Sequence, residues 1–149
     1  MSGDTPDGYE PINPSQVASG GCSTSFETLV GPLYRKSGAT PDRTQWGFRA
    51  EPRHCNPYGV IHGGMLTTFA DTMMGSLVFH AIDGAPCATI SLTTDFIGAG
   101  KAGDWITGSA EILRRGRAVA FVRAEIKNGD RLLMNASGAW AIIAANASS

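Results

Sequence analysis

The chain has 149 residues, 42% of them hydrophobic and 17% charged, with a formal net charge of −1. That length argues for one domain of roughly 100–200 residues, large enough for a core without staples, and the near-neutral charge excludes a general nucleic-acid or membrane-surface binder. A charged fraction below the usual ~25% implies that much surface is buried between subunits.

The polar, acidic N-terminus lacks the apolar run of a secretory signal. No stretch reaches about 18 consecutive apolar residues, so no membrane span is expected. Cys22, Cys55 and Cys87 make an odd count without paired spacing, which fits neither a disulfide framework nor a zinc site. Reduced thiols in a cytoplasmic protein are expected, and the glycosylation sequons at Asn135 and Asn146 then carry no meaning.

Residues 1–24, rich in Gly, Pro, Ser and Asp, read as a loose arm, and residues 25–149 as a single domain. Ser23 or Ser25 can cap a short helix across 26–31. Residues 36–44 are a polar, turn-forming segment. Residues 46–51 alternate and predict a strand, and Pro52 to Ile61 a loop. From Gly63 to about Ala81 the spacing of Leu66, Phe69, Met73 and Leu77 predicts the one long helix. Met65, Ala70, Met74 and Val78 make it apolar nearly all round, so it must be wrapped by other structure. Asp83-Gly84-Ala85-Pro86 stops it. Four strands follow, at 87–97, 104–113, 118–127 and 131–144, with hairpin turns at 114–117 and 128–130. The result is an α+β fold, one buried helix against one curved antiparallel sheet. Gly98-Ala99-Gly100-Lys101-Ala102-Gly103 matches a dinucleotide fingerprint literally, but a strand pattern follows it where a helix is needed. It reads as a turn.

The chemistry concentrates between Asn56 and Asp71. Asn56-Pro57-Tyr58-Gly59-Val60-Ile61-His62-Gly63-Gly64 puts an amide, an imidazole and a glycine pair just before the long helix. Asp71 stands two turns inside it. A helix start offers unpaired N–H groups and the positive end of the dipole, which suit a developing oxyanion. A carboxylate on that helix can activate water or attack directly. Each residue also has a plainer reading: Asp71 as a buried hydrogen-bond hub, Asn56 as a turn former, His62 as a partner of a neighbour, Thr89 as an ordinary strand residue. Arg114, Arg115 and Arg117 either grip phosphates or form a solvated hairpin tip. His54, Cys55 and His62 lack a metal-ligand spacing, so no metal is expected.

Asn56, Gly59, His62-Gly63-Gly64 and Asp71, with Thr89, Leu92 and Phe96, resemble the hotdog-fold acyl-CoA thioesterases of the 4-hydroxybenzoyl-CoA thioesterase superfamily, in the phenylacetate-pathway branch. The resemblance covers about Gln45 to Ala144. It implies a hotdog fold, one long central helix wrapped by a curved antiparallel sheet, and hydrolysis of an aryl- or medium-chain acyl-CoA. It implies Asp71 as the catalytic carboxylate, Asn56 and the Gly63 N–H as holders of the thioester carbonyl, His62 orienting Asn56, and Thr89 holding water. Gly64, Phe69 and Met74 would contact substrate, Phe69, Met73, Met74 and Phe96 would shape an apolar acyl chamber, and the three arginines would meet coenzyme A. No cofactor is implied beyond the coenzyme A of the substrate. A homodimer or homotetramer is implied, with Asp71 facing the loop of a partner chain. A hydratase or dehydratase on the same fold, a non-catalytic acyl-CoA binding module and a carrier-clearing thioesterase are the competing readings.

Overall fold

The structure is a computed structural model that describes residues 3–14 and 24–143. Short elements come first: strand β1 (Glu10–Pro11), helix α1 (Phe26–Val30), and strands β2 (Tyr34–Lys36) and β3 (Gln45–Arg49). The long helix α2 (Gly63–Ala81) follows. Strands β4 (Cys87–Phe96), β5 (Trp105–Arg115), β6 (Val119–Asn128) and β7 (Arg131–Ile142) complete the chain. The strands form one seven-stranded sheet in the order β1-β2-β3-β5-β6-β7-β4, every pair antiparallel. This is the hotdog architecture, and the helix, the four later strands and the 128–130 hairpin lie where the residue pattern puts them, while Arg114 and Arg115, expected in a turn, close β5 as strand residues.

The helix explains the sheet. Met65, Leu66, Phe69, Ala70, Met73, Met74, Leu77 and Val78 are all buried, a stripe too wide for a flat surface to cover. The sheet supplies the facing apolar layer by strict alternation. In β6, Ala120, Val122, Ala124 and Ile126 are buried while Phe121, Arg123 and Glu125 are exposed, as one wet and one dry face require. Phe48 of β3 meets Phe69 edge-on, with ring centroids 4.9 Å apart. Contact is closest at Gly108 of β5, where a Cβ would stand 2.8 Å from the Met73 sulfur and 2.9 Å from the Phe69 ring.

Two segments depart from expectation. Within the stretch read as a loose arm, β1 pairs with β2. The Tyr9 ring meets Trp105 at 5.2 Å, and Arg49 donates to the Asp4 carbonyl at 2.7 Å. Backbone pairing and aromatic contact therefore fasten residues too polar to advertise a strand. The polar segment expected from residue 36 is likewise preceded by β2, whose three residues are too few to show a period. Cys22, Ser23 and Ala144 lie outside the described residues.

Gly108→Val should destabilise the fold by about 1–3 kcal/mol through overpacking against Met73 and Phe69, measured by urea unfolding with the slope unchanged.

Candidate active site

The loop before α2 is built by local hydrogen bonds. The Gly59 N–H donates to the Asn56 carbonyl at 2.9 Å and the Asn56 N–H to the Val60 carbonyl at 2.8 Å. The Asn56 side-chain oxygen accepts from Tyr58 N at 2.9 Å and Val60 N at 3.3 Å. Gly59 has φ +82°, a conformation glycine adopts without strain. Asn56 is thus a turn former, and the same bonds fix its amide: the oxygen is engaged, while Nδ2 has no partner among the described residues. At its far end the loop is held by Ile61 N donating to Gly100 O, 2.8 Å, and His62 N donating to His54 O, 2.8 Å. The glycine-rich turn at 98–103 therefore braces this loop, and β5 leaves it as a strand.

His62 is the N-cap of α2. Its Nδ1 accepts from the Gly64 N–H at 2.8 Å, because a side chain two residues ahead of an orphan donor can reach it. Its ring is engaged in this cap and makes no hydrogen bond to Asn56. The Gly64 N–H is consumed by the cap and is not free for substrate. The Gly63 N–H, one residue earlier, has no acceptor among the described residues.

Asp71 projects from α2 toward β4 and is half-buried. Thr89 Oγ1 donates to Asp71 Oδ1 at 2.7 Å, which joins two of the predicted site residues directly. A neutral donor on one oxygen fixes the carboxylate and leaves the other oxygen to meet solvent or substrate. Cys87, two residues before Thr89, donates its thiol toward the Gly75 carbonyl at 3.7 Å. Burial, then the neighbouring Asp71 charge, pushes this thiol up from its ordinary value. It stays protonated, and a protonated thiol is a poor nucleophile. Its proximity to Asp71 is invisible in sequence.

Between Thr89 and Ser91 the register of β4 against β7 shifts, a bulge at Ile90. Cys87 and Thr89 face α2 before it; Leu92 packs on the core after it, and the ring of Phe96 lies over Gly63. The bulge thus keeps both ends of one strand on the helix side.

Phe69 and Met74, expected to touch substrate, have no exposed surface, and the same holds for Met73. They fill the core between helix and sheet, the side that an all-round apolar helix cannot declare in sequence. The arginines separate by register. Arg115 lies in one cross-strand row with Ala120, Trp140 and Thr89, and Ala120 and Trp140 are buried under α2. Cross-strand neighbours share a face, so Arg115 is on the helix side, about 14 Å from Thr89 at ordinary strand spacing. Arg114 pairs with Phe121, on the outer face, and Arg117 is in the turn. All three are exposed.

A second feature is a clamp on α1. Burial pushes the His54 imidazole below its ordinary value of 6.5, against the opposing pull of the Val30 carbonyl. Its Nδ1 accepts from Glu51 N at 3.0 Å and its Nε2 donates to Val30 O at 2.8 Å. Arg53 donates to the carbonyls of Leu29 and Gly31. The signal was Glu51-Pro52-Arg53-His54, a capping box on a single turn of 3₁₀ helix. Among the described residues no group of three His, Cys, Asp or Glu could hold a metal, and no helix is long and apolar enough to cross a membrane.

A wrapped helix, a free N–H at its start and a hydroxyl-held carboxylate within it define a hotdog-fold thioester hydrolase. The Thioesterase superfamily profile matches residues 58–135, and the chain belongs to that family. It is 30% identical over 136 residues to a Pseudomonas aeruginosa protein that bears an esterase name, covering 91% of this chain and 95% of that one. It is 26% identical to human acyl-coenzyme A thioesterase 13 over 70% of this chain and 74% of that one. A phenylacetic acid degradation-related protein of Ralstonia eutropha superposes with a TM-score of 0.73 at 25% identity, covering 86% of this chain and 97% of that one. The matched span contains His62, Gly63, Asp71 and Thr89; Asn56 falls just outside it.

Because folding lowers the His54 pKa, the unfolded chain binds the extra proton first. The clamp's contribution is complete above about pH 6.5 and is lost as pH falls below that toward the folded value. The melting temperature should decline on acidification, and His54→Gln, which can keep both hydrogen bonds, should flatten that decline in a thermal-melt series.

Proposed function

We propose that the protein hydrolyses an acyl-CoA to the free acid and coenzyme A at a site assembled from two chains. The carrying observation is a distance within one chain. Gly63 and Asp71 are eight residues apart on one helix, about 12 Å along its axis. A carbonyl donor and a general base must each lie near 3 Å from the reacting group, which favours donor and base coming from different chains.

The β4 edge supports the answer. It is ten residues long, holds no Lys, Arg or Pro, and has only Asp95 and the bulge at Ile90 to blunt it as an open edge. Ile90 and Phe96 on it are 58% and 56% exposed. Two copies related by a two-fold axis pair such edges antiparallel. That pairing carries the Gly63–Phe96 end of one chain to the Asp71–Thr89 end of the other, at both ends of the shared ladder.

In this arrangement the thioester oxygen accepts from the Gly63 N–H and from Asn56 Nδ2, whose amide the loop bonds already aim. Both donors are fixed before reaction, and one such donor is typically worth about 10²–10³ in rate. The partner's carboxylate, held by its threonine hydroxyl, takes a proton from water as the oxygen attacks, or attacks the carbonyl itself and is regenerated by water. The thiolate of coenzyme A leaves with little need of an acid. Arg115, which shares the helix-side row with Ala120, is the arginine we assign to a phosphate. Coenzyme A as the thiol follows the names of the relatives and the polar approach to an otherwise apolar fold.

Asp71→Asn should lower thiol release from acyl-CoAs by about 10²–10⁴. Co-expressing Asp71→Asn with Asn56→Ala chains tests the two-chain site: a mixed dimer has one intact site if the residues come from different chains and none if they come from one. Activity of the purified mixed dimer well above either parent is expected, and activity no higher than the parents sinks the shared site.

A further inference from the structure

We infer that the groove between α2 and the loop joining β2 to β3 binds a small phosphate monoester, at a place separate from the thioester site. The groove holds about 370 Å³, within the roughly 300–1,000 Å³ of small-molecule sites. One wall is the loop, residues 37–44. Its own bonds close it: Arg43 N donates to the Thr40 carbonyl at 2.9 Å and Thr44 N to the Pro41 carbonyl at 3.2 Å. Gly38 lets its two arms touch, since a Cβ there would run into the Arg43 carbonyl. The other wall is a flank of α2. Ser76 and His80 stand about 140° and 180° around the helix from Asp71, so the groove lies on the far side of α2 from that carboxylate. It is equally clear of the β4 edge, because β2 and β3 belong to the opposite end of the sheet. Trp46 and Leu77, both buried, give it an apolar base.

What converges on the groove is donors. Arg35, Ser37, Thr44, Ser76 and His80 line it, and none of these five side chains has a hydrogen-bond or ion-pair partner among the described residues. Arg49, Arg53 and Arg123, by contrast, are each bonded to a carbonyl or a carboxylate. Arg35 reaches the groove by register. It pairs with Trp46, which pairs with Gly108 under α2, and cross-strand neighbours share a face. Glu10 stands opposite Arg35 in β1 without bonding to it. Asp42 takes the Thr40 hydroxyl and faces the other side of the loop, with Ser109 and Glu111. Among the described residues no carboxylate lines the groove. The donor set selects the anion. A guanidinium fork, a ring N–H and three hydroxyls exceed what the two oxygens of a carboxylate can take, whereas a phosphate ester brings three terminal oxygens and a larger charge. Bare carbonyls at the end of α2 would oppose an anion, but those of Val78 and Phe79 are taken by the N–H groups of Ile82 and Gly84 at 3.0 and 2.9 Å. The apolar base leaves room for an organic group beside the phosphate.

The test titrates the full chain with glycerol 3-phosphate, glycerate and glycerol at matched ionic strength, followed by calorimetry and by backbone amide NMR. Glycerol 3-phosphate should bind saturably, shift the amides of residues 35–46 and 76–80, and bind Asp71→Asn as tightly as wild type. Arg35→Gln should weaken it about tenfold or more, and Ser76→Ala about two- to tenfold. Arg115→Gln should leave it unchanged while weakening coenzyme A. Ser76→Ala carries the test by itself if Arg35→Gln disturbs the fold. No saturable shift, glycerate or glycerol binding as tightly, or losses that follow Arg115 rather than Arg35 would overturn the assignment. So would coenzyme A shifting the same amides through Arg35, since the groove would then belong to the substrate. The inference does not depend on the hydrolase reading: binding lost with Arg35→Gln, in a chain that releases no thiol from any acyl-CoA, would still support it.

Discussion

The burial of α2 is the constraint on which the rest depends. A helix apolar nearly all round cannot rest on a flat surface, so the sheet must curl about it, and a curled open sheet has edges. One edge carries the short β1 and β2 and is strapped by the N-terminal residues. The other is β4, long and blunted only by Asp95 and the bulge at Ile90. Asp71 is the charged residue of α2, and it faces the seam between the helix and that open edge. The same requirement that buries the helix thus brings its carboxylate to the boundary where another chain can complete the site.

Much of this was readable in the residues, because periodicity reports burial and glycine with asparagine reports turns. The long helix, its start at Gly63, its stop at Asp83-Gly84 and the four-strand meander all follow from spacing. Thr89 stands out only through resemblance, as a holder of water, and its bond to Asp71, 18 positions away, comes from the fold. What stayed hidden has physical reasons. Strands of two and three residues have no period to detect. A helix that is apolar all round does not say which of its residues face the sheet, and so Phe69 and Met74 were placed at a site when they belong to the core. The Arg114/Arg115 distinction depends on the irregular register between Ile112 and Arg114, and a single extra residue leaves no mark in composition. The cap made by His62 is equally silent in the residue pattern, since it depends on a ring reaching an orphan N–H two residues on.

The clamp at His54 and Arg53 links regions that otherwise share no element. Three consecutive carbonyls at the end of α1, of Leu29, Val30 and Gly31, are each taken by a side chain of the turn that precedes Asn56. The placement of the Asn56 amide is therefore tied to the seating of α1 through neutral histidine and guanidinium donors. A helix of five residues is too short to hold its own shape in water, so its order and the order of the site loop are one equilibrium.

The bulge at Ile90 makes strand length, rather than residue identity, the tighter constraint on this edge. Side chains alternate along a strand, so one residue added to or removed from the regular stretch between Ser91 and Phe96 turns one end of the strand over. Deleting Ile90 would regularise the ladder and leave Thr89 and Phe96 an even number of residues apart, opposite Trp140 and Met134, so both would stay on the helix side. Substitutions at Ile90, whose side chain is largely exposed, leave both ends in place. Variation in this segment is thus open to exchange or loss of Ile90 and closed to single insertions or deletions between Ser91 and Phe96, a pattern that a catalogue of tolerated mutations would reveal as a frame without an obvious motif.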